Sequence, residues 1–240
     1  MKTALLFFGQ PRFIGDNQIW NSIYDNIIEP YAPDIYAHMW YKPGSYDYGI
    51  SSWASEKGTQ KTSVPSFAPA IFYDRYNPTK VLIETPRFFP MTEVTGDLYD
   101  KRFLGQSEFY SRENMSNIQS QLFSIEKVCN LVEEEYDWFF LIRYDGLVRG
   151  IPDLKKEHSN DQIFIPSGGD FNDLIQIFGQ RDLWVMQRLY QEFDTPYMIP
   201  KIIQKGLPIP EYFKYFAYTR YRSLNKIKRL SDLYADIRRV

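Results

Sequence analysis

The sequence has few of the residues that build disulfides and zinc sites. Its 240 residues include one cysteine, Cys129, so neither an internal disulfide nor a zinc site made of thiolates can form within the chain. It has two histidines, His38 and His158, which is too few for most zinc-enzyme signatures. We therefore expect a protein of the reducing cytoplasm. Any metal ion would be bound through oxygen, as Mg²⁺ and Mn²⁺ are.

Long apolar runs and the common glycine-rich nucleotide motifs are also missing. No segment approaches the roughly 20 apolar residues that a membrane-spanning helix needs. The apolar run over residues 4–8 is too short for the core of a secretion signal, so it predicts a buried first strand. The pattern GxxxxGK[ST] is absent and GxGxxG does not follow this strand, which argues against P-loop, nicotinamide and flavin enzymes.

Aromatic residues are abundant, and charge is unevenly distributed. The chain has 5 Trp, 19 Tyr and 18 Phe, which indicates either a ligand with flat faces, such as a sugar or a base, or an aromatic core. The aromatic core is the commoner reason. The net charge is −2, but residues 212–240 hold eight basic and two acidic side chains, so this tail carries +6 and the body −8. Such a distribution is not typical of a nucleic-acid-binding protein.

Alternating strand and helix patterns predict an α/β fold with a mostly parallel sheet. The predicted strands are residues 4–8, 34–40, 80–84, 138–142, 162–166 and 174–178. Helical spacing of apolar residues predicts helices over 16–28, 114–135 and 181–193, with Asp16 as an N-cap and a largely helical tail from Glu211. Residues 42–79 show no sustained period and are predicted to be a long irregular excursion.

Polar residues follow several predicted strands at their carboxyl ends, where open parallel sheets bind ligands. They are Gly9, Gln10, Pro11 and Arg12 after the first strand, His38 and Trp40 at the second, Arg143, Tyr144 and Asp145 after the fourth, and Ser167, Gly168, Gly169, Asp170, Asn172 and Asp173 after the fifth. A glycine lets a backbone approach closely, an arginine neutralises phosphate and an aspartate can hold a metal ion. Together these groups fit a nucleoside diphosphate.

Each of these candidates also has a purely structural interpretation. Asp145 follows a buried strand, so it either binds a cation or forms an ion pair with Arg143. Arg12 either grips phosphate oxygens or lies in solvent after a plain turn. His38 is either a base or a satisfied core residue, and the second is commoner. Cys129 lies on the apolar face of a helix and is predicted to be inert.

The order of the motifs resembles a family of small glycosyltransferases of the GT-A type, found in bacteria and viruses, that modify surface polysaccharides or glycoproteins. The motifs are ALLFFGQPR, DIYAHMW, then after a long variable segment QLFSIEKVCNLVEEEYDWFFLIRYDGLV, DQIFIPSG and FNDLIQIFG, and the resemblance covers about residues 4–190. It implies a GT-A-like catalytic domain over residues 1–211, followed by the basic, aromatic, helical tail over 212–240. It also implies transfer of a sugar from a nucleotide-sugar donor to a saccharide or glycoconjugate acceptor, as in polysaccharide biosynthesis.

The resemblance also implies roles for individual residues. Members of the family have Arg-x-Asp where other GT-A enzymes have Asp-x-Asp, so Asp145 would bind the diphosphate and a divalent metal ion, Mn²⁺ or Mg²⁺. Only one acidic ligand remains at this motif. The expected donor-binding residues are Gly9, Gln10, Arg12, Arg143 and Tyr144. The candidate catalytic residues are Asp173, Asp170 and His38. Asp173 aligns with the aspartate of an Asn-Asp pair in the family, and its alternative role is to cap a turn.

Two other functions and two interpretations of the tail stay open. A sugar-nucleotide nucleotidyltransferase is disfavoured because no lysine- and glycine-rich loop follows the first strand, and a non-catalytic carbohydrate-binding module is supported only by the aromatic residues. The tail lies either on an anionic membrane surface, which would make the protein peripheral to a membrane, or against the body, where its basic residues offset the body's negative charge.

Overall fold

A computed structural model describes residues 1–43, 46–48, 62–157, 159–167, 171 and 174–237. The strands are β1 Thr3–Phe8, β2 Asp34–Trp40, β3 Tyr46–Tyr48, β4 Thr62–Val64, β5 Lys80–Glu84, β6 Trp138–Arg143, β7 Gly146–Arg149, β8 Ile163–Pro166, β9 Ile175–Gly179, β10 Ile227–Leu230 and β11 Tyr234–Ile237. The helices are α1 Asn17–Ile23, which continues through a π-helical segment Tyr24–Ile28 into α2 Glu29–Tyr31, then α3 Ala68–Tyr76, α4 Glu93–Phe103, α5 Arg112–Asn130, α6 Gln180–Met186, α7 Leu189–Glu192, α8 Met198–Lys205 and α9 Pro210–Tyr221.

Seven strands form one sheet in the order β10-β8-β9-β6-β1-β2-β5. Every neighbouring pair is parallel except the two that involve β9, which runs antiparallel to β6 and β8. The predicted α/β fold with a mostly parallel sheet is therefore confirmed. The carboxyl ends of the parallel strands share one edge of the sheet with the amino end of β9, and we call this the carboxyl edge. Two small antiparallel pairs, β3–β4 and β7–β11, lie outside the sheet.

Helices cover both faces of the sheet, which explains why its strands are continuous apolar runs. All six residues of β1 are buried: Leu6 packs on the face that includes Leu122 of α5, and Phe7 packs on the face that includes Phe72 of α3. Among the residues whose burial the structure describes, the twelve largest fully buried side chains are all Phe or Tyr. Much of the aromatic content therefore lies in the core.

Two predicted helices have different boundaries in the structure. The helix expected over 114–135 is α5, which begins after Ser111, whose hydroxyl accepts a hydrogen bond from the Asn114 amide at 2.9 Å. It ends at Asn130, so Glu133 lies beyond the helix, where it pairs with Lys80. The helix expected over 181–193 is two short helices, α6 and α7. By contrast, Asp16 caps α1 as predicted.

The tail is helical only in its first part. Helix α9 ends at Tyr221, after which β10 extends the sheet beside β8 and β11 pairs with β7. The prediction of a largely helical tail is therefore wrong for residues 227–237. These residues are strands because they complete the backbone hydrogen bonding of β8 and β7, a contact across more than 60 residues of sequence that local propensity does not reveal.

Basic side chains of the tail pair with acidic side chains of the body. The pairs are Arg220 with Glu192, Arg222 with both Asp161 and Asp182, and Lys226 with Asp161. These contacts match the second interpretation of the tail, in which its basic residues offset the charge of the body. Among the residues that the structure describes, no helix is long and apolar enough to cross a bilayer.

Candidate functional site

The turn after β1 brings a glycine and an arginine to the carboxyl edge. Gly9 has a φ of +97°, a left-handed conformation that glycine adopts without strain. Its carbonyl accepts a hydrogen bond from the Trp40 amide at 2.9 Å, and the Gln10 carbonyl accepts one from the Arg12 amide at 2.8 Å. A Cβ added to Gly9 would meet no atom within 4 Å, so the space beside its Cα is open to a ligand.

The guanidinium of Arg12 is short of hydrogen-bond partners. Arg12 is half-buried, its Nε is fully buried, and that Nε makes no hydrogen bond with the described residues. Burial lowers the pKa of Arg12, as does the positive charge of Arg143, while the carboxylate of Asp145 acts in the opposite direction. A buried charged donor without an acceptor is costly. An anionic ligand at this edge would remove that cost.

Arg143 and Asp145 form a two-point ion pair at the end of β6. The Arg143 Nε donates to Asp145 Oδ1 at 2.9 Å, and Nη2 donates to Oδ2 at 2.7 Å. The Asp145 side chain is 2% exposed and that of Arg143 is 20% exposed. This is the ion pair that the sequence offered as the alternative to a metal site. The pair holds the Arg143 guanidinium at the carboxyl edge, where Arg143 lies opposite Phe8, four residues before Arg12.

The described residues around Asp145 do not fit a divalent cation. Both carboxylate oxygens are already bonded to one guanidinium, and a second guanidinium, that of Arg12, lies near enough to interact with both members of the pair. Within the described ranges there is also no group of three or more His, Cys, Asp or Glu side chains arranged to hold a metal ion. Two cations beside one buried anion attract a further anion instead.

Tyr144 lies between these two residues in sequence but points into the core. Its side chain is fully buried, its ring stacks on Phe7 with centroids 5.3 Å apart, and its hydroxyl donates to the His38 carbonyl at 3.2 Å. Strand alternation explains this, because adjacent side chains leave the sheet on opposite faces. The structure therefore brings Arg143 to the edge and buries Tyr144 beneath it.

His38 belongs to a buried hydrogen-bond network beneath the Gly9 turn. Its Nε2 lies 2.9 Å from Glu84 Oε2, its Nδ1 lies 2.7 Å from Ser124 Oγ, and the Gly9 amide donates to the same Ser124 oxygen at 2.8 Å. The His38 side chain is wholly buried, and burial lowers its pKa more than the neighbouring Glu84 raises it. If the His38 ring is neutral, donates from Nε2 to Glu84 and accepts at Nδ1 from the Ser124 hydroxyl, then His38, Glu84, Ser124 and the Gly9 amide all have hydrogen-bond partners.

This network positions the Gly9 turn, and it leaves neither ring nitrogen of His38 open to an acceptor hydroxyl. Sequence reasoning placed His38 near the site but missed Ser124 and Glu84. The available signal for Ser124 was a hydroxyl between Phe123 and Ile125, at a core position of α5. Glu84 lies opposite Trp40 in the pairing of β2 with β5, a register that only the assembled sheet reveals.

Asp170 and Asp173 lie outside the described residues. The nearest described neighbours are at the carboxyl edge: the Ser167 amide donates to the Leu230 carbonyl at the end of β10, and the Leu174 carbonyl accepts from the Arg143 amide at 3.2 Å. Phe171 is fully buried, with its ring 5.2 Å from that of Tyr218 in α9. The catalytic roles of the two aspartates stay predictions.

No protein-family model and no curated protein matches this chain. Solved structures with a detectable likeness include mouse xyloside xylosyltransferase 1 in its apo form, with a TM-score of 0.41, 12% identity, and coverage of 95% of this chain and 84% of that one. The glycosyltransferase GlyE of Streptococcus pneumoniae has a TM-score of 0.42 and 13% identity, over 96% of this chain and 45% of GlyE. The galactosyltransferase LgtC, solved with donor and acceptor sugar analogues, has a TM-score of 0.42 and 8% identity, over 93% of this chain and 72% of LgtC.

All three are named as transferases of sugars, and this chain spans less than half the length of GlyE. At these identities and TM-scores the likeness carries no argument about activity.

Proposed function

We propose that the protein transfers a sugar from a nucleotide-sugar donor to a hydroxyl group of a saccharide or glycoconjugate acceptor. The observation that carries this proposal is the half-buried Arg12, whose Nε lacks a hydrogen-bond partner in the described part of the chain, beside the Arg143–Asp145 pair at the carboxyl edge. Ligands of open α/β sheets bind at this edge. The resemblance of the motif order to GT-A glycosyltransferases supports a nucleotide sugar as the ligand.

The charges at this edge suit a diphosphate. Among the described residues, the two guanidinium groups of Arg12 and Arg143 face the one carboxylate of Asp145, and the planar fork of an arginine matches two phosphate oxygens at once. Gly9 adds open space beside its backbone, which lets a phosphate approach the turn. In this arrangement Gly9, Gln10 and Arg12 face the diphosphate together with Arg143, whereas Tyr144 supports the site from the core.

The reaction would exchange one bond at the anomeric carbon for another. The bond from that carbon to the oxygen of the second phosphate breaks, its electron pair leaves with the nucleoside diphosphate, and the acceptor oxygen forms the new bond. The acceptor proton passes to a base, for which we propose Asp173 or Asp170. Positive groups fixed near the departing diphosphate lower the barrier because its negative charge grows in the transition state.

Donor consumption tests this function. The full-length protein is incubated with a panel of UDP- and GDP-sugars, with and without mono- and oligosaccharide acceptors, and the released nucleoside diphosphate is measured by chromatography. We expect slow release without acceptor for one donor, faster release with a suitable acceptor, and a matching glycosylated product. A binding module would release nothing, and a nucleotidyltransferase would require a nucleoside triphosphate and a sugar phosphate. Either result would contradict the proposal.

A further inference from the structure

We propose that the guanidinium groups of Arg12 and Arg143, and not a divalent metal ion at Asp145, neutralise the diphosphate at this edge, with Asp145 acting as the residue that positions Arg143. This inference rests on the proposed function for the identity of the donor. The anion site itself follows from the contacts of these three residues.

The Asp145 carboxylate is already occupied by Arg143. Each of its oxygens accepts a hydrogen bond from Arg143, at 2.9 and 2.7 Å, and the side chain is 2% exposed. Mn²⁺ and Mg²⁺ bind carboxylate oxygens directly, and Mg²⁺ keeps several of its waters when bound. Such a hydrated ion would have to displace Arg143 from a buried carboxylate. Arg143 would then lose both of its hydrogen bonds to Asp145.

The charges of the described residues at this edge also favour an anion. Arg143 pairs in register with Phe8, next to the turn that holds Arg12, so the two guanidinium groups repel each other. Among the described residues, the carboxylate of Asp145 acts on both of them. Adding a divalent cation would increase this repulsion, whereas adding a diphosphate removes it. The two arginines therefore favour binding of an anion over binding of a cation.

The Nε of Arg12 lacks a hydrogen-bond partner in the described part of the chain. It is fully buried, although the turn from Gly9 to Arg12 is held in place by backbone hydrogen bonds. Buried polar groups in native proteins nearly always have a partner. Arg143 is itself locked by Asp145 and remains 20% exposed at the edge. A phosphate placed against the exposed part of the Arg12 side chain would offset its charge and lie near the Arg143 guanidinium.

The test measures binding with and without metal. Inorganic diphosphate, UDP and GDP are titrated by calorimetry into the full-length protein, first in EDTA and then with Mn²⁺, and binding of Mn²⁺ alone is followed by electron paramagnetic resonance. We expect at least one of the three ligands to bind in EDTA with an affinity within about threefold of that in Mn²⁺. Arg12→Ala should weaken this binding by about tenfold or more in both conditions, and Arg12→Lys should weaken it less.

Two further variants complete the test. Asp145→Asn keeps one acceptor for Arg143, so it should weaken binding only a few-fold, and Arg181→Ala, which removes an exposed arginine on α6, should leave binding unchanged. Circular dichroism confirms that each variant is folded. The inference is overturned if binding requires Mn²⁺ and is lost in Asp145→Asn, if Arg12→Ala binds as tightly as the wild type, or if none of the three ligands binds.

The outcomes also separate this inference from the proposed function. Metal-free, Arg12-dependent binding of a diphosphate without any sugar transfer would keep the anion site and contradict the glycosyltransferase. Sugar transfer that depends strictly on Mn²⁺ would support the glycosyltransferase and contradict the metal-free site.

Discussion

Replacing Ser124 with alanine tests whether the buried network holds the Gly9 turn. The Ser124 hydroxyl oxygen joins two groups, the Gly9 amide at 2.8 Å and His38 Nδ1 at 2.7 Å, and both contacts disappear in Ser124→Ala. His38 is wholly buried, so its Nδ1 then has no replacement partner. Gly9 is partly exposed, so water can take the place of the hydroxyl on its amide.

The expected loss of stability follows from the burial of His38 Nδ1 and the partial exposure of Gly9. An unsatisfied buried acceptor costs about 1–3 kcal/mol, and the exposed amide adds little. In a chain of this size, each kcal/mol shifts the melting temperature by about 2–4 °C, so we expect a decrease of about 2–12 °C. Because the turn loses its anchor, nucleoside diphosphate affinity should fall as well, although no group that contacts the ligand is removed.

Ser116→Ala is the matched control. Ser116 lies eight positions earlier on the same helix α5, and its hydroxyl accepts a hydrogen bond from the Phe89 amide at 2.9 Å, away from the turn. Both variants should be destabilised in thermal unfolding, but only Ser124→Ala should show weaker diphosphate binding by calorimetry. Equal affinities in the two variants would refute the positioning role of the network.

Three other outcomes follow from the structure. Arg222→Ala leaves the fully buried Asp182 without its cationic partner and should destabilise the fold by about 3–5 kcal/mol in urea unfolding. Arg181→Ala removes a side chain that is 72% exposed and should destabilise the fold by less than about 1 kcal/mol. Similar values for the two variants would contradict the role of Arg222 in anchoring the tail. Because burial lowers the pKa of His38 in the fold, the unfolded chain binds a proton at this residue first as the pH falls below about 6.5. The free energy of unfolding should therefore decrease from pH 7.5 to 5.5, and it should decrease less in His38→Gln. Equal decreases in the two proteins would show that His38 is not responsible. Burial raises the pKa of the Cys129 thiol, so a thiol reagent should react with it only after unfolding, and rapid reaction in the native protein would contradict its place in the core.

The sequence predicted the central strands well because their apolar runs match what a doubly covered sheet requires. The boundaries of β2 and β5 agree with the predicted ones, and those of β1 and β6 differ by a single residue. The direction of β9 was not predictable, since a strand has the same side-chain pattern in both directions. Helix α4 was missed because Val94, 72% exposed, and Leu98 lie on its outer face and blur the helical period.

The candidate site was predictable in its position but only partly in its chemistry. The rule that ligands bind at the carboxyl edge placed Arg12 and Arg143 near each other across 131 residues of sequence. The pairing of Arg143 with Asp145 was one of two alternatives, and sequence alone could not decide between them. The network of Ser124 and Glu84 depends on how α5 packs over β2 and on the β2–β5 register, which are long-range features of the assembled fold.

The most direct test of the central claim is the rate of nucleoside diphosphate release by Arg12→Ala, measured in EDTA with the preferred nucleotide-sugar donor at saturation. Loss of a charged hydrogen bond to the departing diphosphate should slow release by about 10- to 150-fold, equivalent to about 1.5–3 kcal/mol. Added free guanidinium ion, at concentrations that do not unfold the protein, should restore part of the rate. A variant that releases nucleoside diphosphate within about twofold of the wild-type rate would contradict the claim that Arg12 neutralises the leaving group.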